Sequence, residues 1–184
     1  MTARLWLAGA LGAVVMFLWL SIAHMALGLG EAGLKQIPNE APLLASMQTT
    51  LPGHGTYLFP NMDPKDMAGN MRKIEAGPSG MLIYFPMHKF NFGTALVFEF
   101  LTELVLILIA VYLLTFTRIT TFAGRVGYFA LIGFCVASAT NVQYLNWYGF
   151  DLTYTLASIF TMWVGYILAG AVVGAIKVGG TKQL

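Results

Sequence analysis

A chain of 184 residues allows one domain with at most a small appendage. Hydrophobic residues make up 58% of it, charged residues only 10%, and mean hydropathy is +0.72. A soluble domain carries roughly 25% charged residues, so this composition excludes an ordinary water-facing surface and reads as an integral membrane protein. The net charge of +2 says little as a sum and more through its placement.

The first apolar stretch, residues 5–29, exceeds the roughly 20 residues needed to cross a bilayer. Arg4 precedes it and Ala26-Leu27-Gly28 resembles a cleavage site. The run is longer than the core of a secretory signal, so it reads as a retained helix. Ser21 and His24 lie near its far end.

Residues 30–91 form an insertion of different character. "HGTYLFP" (54–60) and "GMLIYFP" (80–86) are short, aromatic-rich runs bounded by Gly and Pro, which read as strands. Between them, Asp63 as N-cap, Pro64 at the first helical position and Gly77 as stop predict a helix. A helical crossover favours a parallel strand pair. A further helix is expected over 42–49.

Three more apolar stretches follow, at 92–116, 122–145 and 152–176. Their connections, 117–121 and 146–151, are short enough to force antiparallel neighbours. Small residues at Gly9-x-x-x-Ala13, Gly133-x-x-x-Ala137 and Gly170-x-x-x-Gly174 allow close helix approach, within the bundle or between copies. Trp147, Tyr148, Phe150 and Tyr154 read as an interfacial aromatic belt. The expected fold is therefore an all-α integral membrane protein. Residues 1–29 and 92–184 make an antiparallel four-helix transmembrane bundle, and 30–91 a small α/β extracytoplasmic strand–helix–strand appendage.

Orientation follows from the cations. Arg4, Arg118, Arg125, Lys177 and Lys182 fall on one side with no acid among them. Lys35, Lys65, Arg72, Lys73 and Lys89 on the other side are offset by six acids, from Glu31 to Asp151. The positive-inside rule puts both termini in the cytoplasm and residues 30–91 outside. The single cysteine, Cys135, lies in the third apolar stretch, so no disulfide can form within one chain.

Two acids interrupt the stretch "TALVFEFLTELVLILIA" (94–110). At 1.5 Å per residue, Glu99 lies roughly 10 Å and Glu103 roughly 16 Å below the outer boundary. Four residues apart, they share a helix face. A carboxylate at that depth costs on the order of 3 kcal/mol and normally faces the bundle interior. His24, Asn141, Ser138, Ser158 and Thr161 fall in the same half of the membrane, so all four helices contribute polar groups. Three readings compete: a buried hydrogen-bond network fixing helix register, a ligand or proton site, and a metal site. The ligand reading uses His24, Glu99, Glu103, Asn141, Ser138 and Ser158. The metal reading uses His24, Glu99 and Glu103. Both Glu-x-x-His and H-E-x-x-H are missing, which weighs against the metal.

Methionine gives a second signal. Six of the ten lie in the insertion, Met67 and Met71 share a helix face, and His54 and His88 lie nearby in sequence. Thioether and imidazole together suit Cu(I), although methionine also fills small cores. Quinone, haem and copper are the cofactors to consider, and none is specifically indicated. His24 is the one intramembrane histidine, so bis-His haem ligation within one chain is excluded. No Walker lysine motif, CxxC pair, G-x-S-x-G elbow or basic aromatic patch for nucleic acid is present.

"GTYLFP", "GPSGMLIYFP", "GRVGY" and "NWYGF", spread over residues 55–150, resemble stretches in a group of bacterial four-helix inner-membrane proteins without an assigned function. The resemblance implies the architecture and a bacterial cytoplasmic-membrane location, and no activity. With no catalytic motif, the leading expectation is a non-catalytic accessory subunit of a membrane complex. Its partners would be the lipid bilayer and a membrane protein or a second copy. The alternative is a ligand-, quinone- or metal-binding redox or proton-handling protein working at the outer polar cluster.

Overall fold

The computed structural model describes residues 3–178, and this part of the chain is mostly helical. Lys182, one of the cations used for orientation, lies outside the described residues. The elements in chain order are α1 (Ala3–Met25), α2 (Ala41–Thr50), β1 (Gly55–Phe59), α3 (Met67–Ala76), β2 (Gly80–Tyr84), α4 (Phe92–Leu114), α5 (Phe122–Tyr148) and α6 (Leu152–Ile176). Four of them, α1, α4, α5 and α6, are long and apolar enough to cross a membrane. The contacts divide the chain into two compact units. One holds these four helices; the other holds residues 35–90 with 147–149.

In the helical unit, contacts pair the beginning of each helix with the end of its neighbour. Along α1 and α6, Arg4 donates to the Ile176 carbonyl, Gly12 lies against Ala169, Gly165 against Met16, and Trp19 Nε1 donates to the Thr161 carbonyl at 2.8 Å. Along α1 and α4, Gly12 lies against Ile107 and Phe17 meets Phe100 edge-on. Along α5 and α6, Phe122 meets Gly174, Phe129 meets Gly170, and Trp163 Nε1 donates to the Ala130 carbonyl at 2.9 Å. All three pairs run antiparallel. One end of the unit therefore carries the start of α1 and the end of α6, and the opposite end carries the loops after α1 and between α5 and α6.

Helix boundaries follow from local chemistry. Asn91 caps α4 by accepting from Thr94 N at 3.0 Å, and Asp151 caps α6 by accepting from Thr153 N at 2.7 Å. At the far end of α6, Arg4 and Arg125 donate to the carbonyls of Ile176 and Val178, satisfying acceptors that a helix C-terminus leaves open. Arg125 is 5% exposed, so this basic residue serves as a buried cap as well as a carrier of charge. α1 stops at Met25, four residues before the end of its apolar run. There Leu27 N and Leu29 N turn back to the Ile22 and Ala23 carbonyls, and Gly28 takes a φ of +65°.

The core sits towards the terminal end: Met16, Ile107, Val111, Leu114, Phe129, Tyr166, Ala169 and Val173 are each at most 1% exposed. Gly170 permits this packing. A Cβ there would stand 2.6 Å from Phe129 Cβ, so the α5–α6 approach requires its absence.

In the second unit β1 and β2 pair antiparallel, Gly55 opposite Tyr84 and Phe59 opposite Gly80. This overturns the expected parallel pair. The intervening helix has only 10 residues and is tied to the chain before it. Asn70 exchanges two hydrogen bonds with the Asp63 backbone, and Lys73 Nζ donates to the Asn61 carbonyl. The link therefore doubles back as a hairpin with a helical insert. α3 also begins at Met67 rather than Pro64. Asp63 spends its carboxylate on Lys65 N in a local turn, and Asp66 takes the cap by accepting from Gly69 N at 2.8 Å. Gly77 is the C-cap, as its sequence position suggests, and α2 spans the expected segment with one residue more at each end.

Candidate functional site

The loop end of the helical unit contains a cavity of about 250 Å³. His24 from α1, Glu99 from α4, Asn141 from α5, and Tyr154, Ser158 and Thr161 from α6 supply its polar wall. Leu20, Val136, Ala137 and Met162 supply the apolar wall. Each side chain arrives by helical spacing: Leu20 and His24 are one turn apart, as are Ala137 and Asn141, and Tyr154 and Ser158.

The rim comes from the turn after α1. A Cβ at Gly30 would run into the His24 ring, so this glycine lets the backbone rest on the imidazole. Gly33, at a φ of +81°, brings the chain against the Asp151 carboxylate and Tyr154 N at the start of α6. The loop is thereby fixed at both ends of its span.

Hydrogen bonding determines what the wall offers. His24 Nδ1 lies 2.9 Å from the Leu20 carbonyl. A carbonyl only accepts, so Nδ1 carries a proton, and in the neutral ring Nε2 is left as an acceptor. Asn141 Nδ2 donates to the Ala137 carbonyl at 2.8 Å, which leaves Oδ1 unspent. Thr161 is 3% exposed, and its hydroxyl has no hydrogen-bond partner.

One turn along α4 from Glu99 lies Glu103, 2% exposed; the Glu99 carboxyl lies beside it, and among the described residues neither Glu103 oxygen bonds to another helix. Ser138 and Thr155 carry the other buried hydroxyls without a partner among the described residues. Each such group costs about 1–3 kcal/mol relative to a satisfied one. Ser138, Thr155 and Thr161 lie in the loop half of the unit, and Glu103 stands at the middle of α4.

The structure thus brings His24, Glu99, Asn141 and Ser158 to one cavity. Glu103 and the Ser138 hydroxyl are buried, and neither residue is among those lining it. Among the described residues no direct hydrogen bond joins either glutamate to His24 or Asn141; the ring Nδ1 and one amide N–H bond to their own helices. Among the described residues no three His, Cys, Asp or Glu side chains converge to hold a metal. His24, Glu99 and Glu103 therefore do not form a prearranged metal centre.

In the second unit His54 and His88 both pack on the Phe85 ring, with centroids 4.4 and 5.0 Å away. Met67 and Met71 stand on α3, 74% and 50% exposed. The histidines are gathered by an aromatic side chain, and both methionines are exposed on α3.

Tyr154 and Met162 escaped the sequence reading. Tyr154 was assigned to the interfacial belt, yet 154, 158, 161 and 162 follow the spacing of one helix face, and that signal could have found both. Leu29 and Gly30 had no signal, because their place depends on how the turn after α1 folds. No family model, curated protein or solved structure matches this chain.

Proposed function

We propose that this is a multi-pass protein of the bacterial cytoplasmic membrane that binds a small ligand in the cavity at the loop end of its helices. The four long helices would form the transmembrane bundle, with termini in the cytoplasm and the cavity in the outer half. Residues 30–91 would be extracytoplasmic. The observation that carries this reading is the gathering of polar groups from all four helices around one cavity, with the Thr161 hydroxyl buried and unpartnered among the described residues. A network serving only helix register would use its hydrogen bonds between helices. Here the side-chain bonds of His24 and Asn141 close on their own helices.

The chemistry is binding or proton handling rather than covalent catalysis, since no nucleophile–base pair has been identified in the cavity. A channel is disfavoured because the terminal half beneath the cavity is filled by apolar side chains. A small ligand such as a quinone headgroup or a lipid headgroup suits the size, whereas a pocket for a drug-sized ligand measures roughly 300–1,000 Å³.

A second reading, an accessory subunit of a membrane complex, draws on a different observation. The second unit has an apolar groove of about 410 Å³ between α2 and the hairpin, lined by Ile37, Leu43, Met47, Leu51, Phe59 and Met81. Purification in mild detergent, followed by native mass spectrometry and an absorption spectrum, separates the two. The ligand reading predicts a bound small molecule that is lost in Ser158→Met, which fills the cavity. A stoichiometric protein partner with no small molecule would favour the subunit reading.

A further inference from the structure

From the donors and acceptors on the cavity wall, we infer that the ligand presents a primary ammonium group. This rests on the reading that the cavity binds a ligand, and it names the ligand's chemistry. The wall offers acceptors: the Glu99 carboxyl, Asn141 Oδ1 and, in the neutral ring, His24 Nε2. Its donors are the hydroxyls of Tyr154, Ser158 and Thr161 and one remaining Asn141 N–H; all of them are neutral, and each hydroxyl oxygen also accepts. Among the described residues no Lys or Arg lines the cavity, and no basic side chain is paired with Glu99 or the buried Glu103.

An anionic headgroup would meet Glu99 without a cation to hold it. A neutral carbonyl would use the hydroxyls and leave the carboxylate without a partner. A primary ammonium brings three donors and one positive charge, for which the wall supplies the Glu99 carboxyl, Asn141 Oδ1 and hydroxyl oxygens as acceptors. Thr161, a lining residue only 3% exposed, carries a hydroxyl with no hydrogen-bond partner among the described residues, an unspent polar group beside the cavity.

A quaternary ammonium is disfavoured. It has no N–H to donate and is held by aromatic cages, whereas Tyr154 is the one aromatic residue lining this cavity. The ammonium could arrive on a free amine or on an ethanolamine lipid headgroup, and the chemistry of the wall is the same for both.

The test uses the full-length protein in phosphatidylcholine nanodiscs. Ethanolamine, choline and a neutral short-chain quinone are titrated by calorimetry, and phosphatidylethanolamine is added in competition and read by native mass spectrometry. The expected result is saturable binding of ethanolamine or of the ethanolamine lipid, with choline at least about tenfold weaker. Glu99→Gln should weaken that binding about tenfold or more, the loss expected for one charge-assisted hydrogen bond. Glu99→Asp should retain part of it. Saturation by ethanolamine alone identifies a free amine; saturation by the lipid alone identifies a headgroup.

Equal binding of choline and ethanolamine, or binding indifferent to both Glu99 variants, would overturn the ammonium assignment. If the quinone binds, is blocked by Ser158→Met and the amines do not bind, the cavity reading stands and the ammonium inference fails. If no probe binds and no small molecule co-purifies, both fail.

Discussion

The two ends of the helical unit are built to different rules. At the terminal end, Met16, Ile107, Val111, Phe129, Tyr166 and Val173 interlock, and the buried Arg125 donates to the Val178 carbonyl at 2.6 Å. Towards the loop end the same four helices enclose a cavity and bury the hydroxyls of Ser138, Thr155 and Thr161 without hydrogen-bond partners among the described residues, with Glu103 buried at the middle of α4. Stability accumulates where side chains interdigitate, and polar groups left unsatisfied detract from it. A bundle that confines its unsatisfied groups to one end separates holding the helices together from presenting a polar surface.

The sharpest way to break this comparison is to find which side of the membrane each end faces. With Cys135 replaced by alanine, Lys65→Cys should react fully with an impermeant thiol reagent added outside intact cells. It should not react from the cytoplasmic face of inverted vesicles. The opposite pattern would move the cavity into the inner half of the membrane.

Truncation at the packed end carries the next largest effect. Phe129→Ala should lower the unfolding free energy by about 3–5 kcal/mol, the usual result for a fully buried aromatic side chain. Met162→Ala, on the cavity wall, should cost distinctly less because its site is already incompletely packed. Equal losses, measured by denaturant titration in the same detergent, would erase the contrast between the two ends.

A smaller effect is expected at the cap of α6. Asp151 accepts from Thr153 N and Tyr154 N, so Asp151→Ala should cost about 1 kcal/mol. Amide exchange would register it as faster opening of the first turn of α6. An unchanged exchange rate at residues 153–155 would show that this turn is held by packing instead.

Much of this organisation can be read from the sequence. The four long helices follow from apolar length, and three of them begin where that reading puts them, at Phe92, Phe122 and Leu152. The depth rule that placed His24, Glu99, Asn141 and Ser158 in one half of the membrane uses only the rise per residue, and the cavity gathers those four residues. Hydrogen-bond choice was not legible. His24 and Asn141 each had a carbonyl of their own helix within reach four residues earlier, and such local bonds compete with contacts between helices. Strand direction was misread because the crossover rule describes a helix packed across a sheet, whereas α3 is fastened by Asn70 and Lys73 to the chain that leads into it. The burial of Arg125 was hidden for a related reason. Counting charges fixes the side of the membrane and says nothing of which carbonyls a guanidinium will reach.

The central claim is that the polar groups at the loop end serve a ligand and do not hold the helices together. The most direct test is the unfolding free energy of Glu103→Leu beside the native protein, in the same detergent and at the same pH. Glu103 is buried beside Glu99, and among the described residues its carboxyl oxygens bond to no other helix, so leucine removes a group that ties no helices together and fills its space with apolar atoms. The account predicts no loss of stability and a gain of up to about 1–3 kcal/mol. A loss of about 3 kcal/mol or more, the cost of breaking a buried polar network, would show that this carboxyl secures the bundle and would contradict the account.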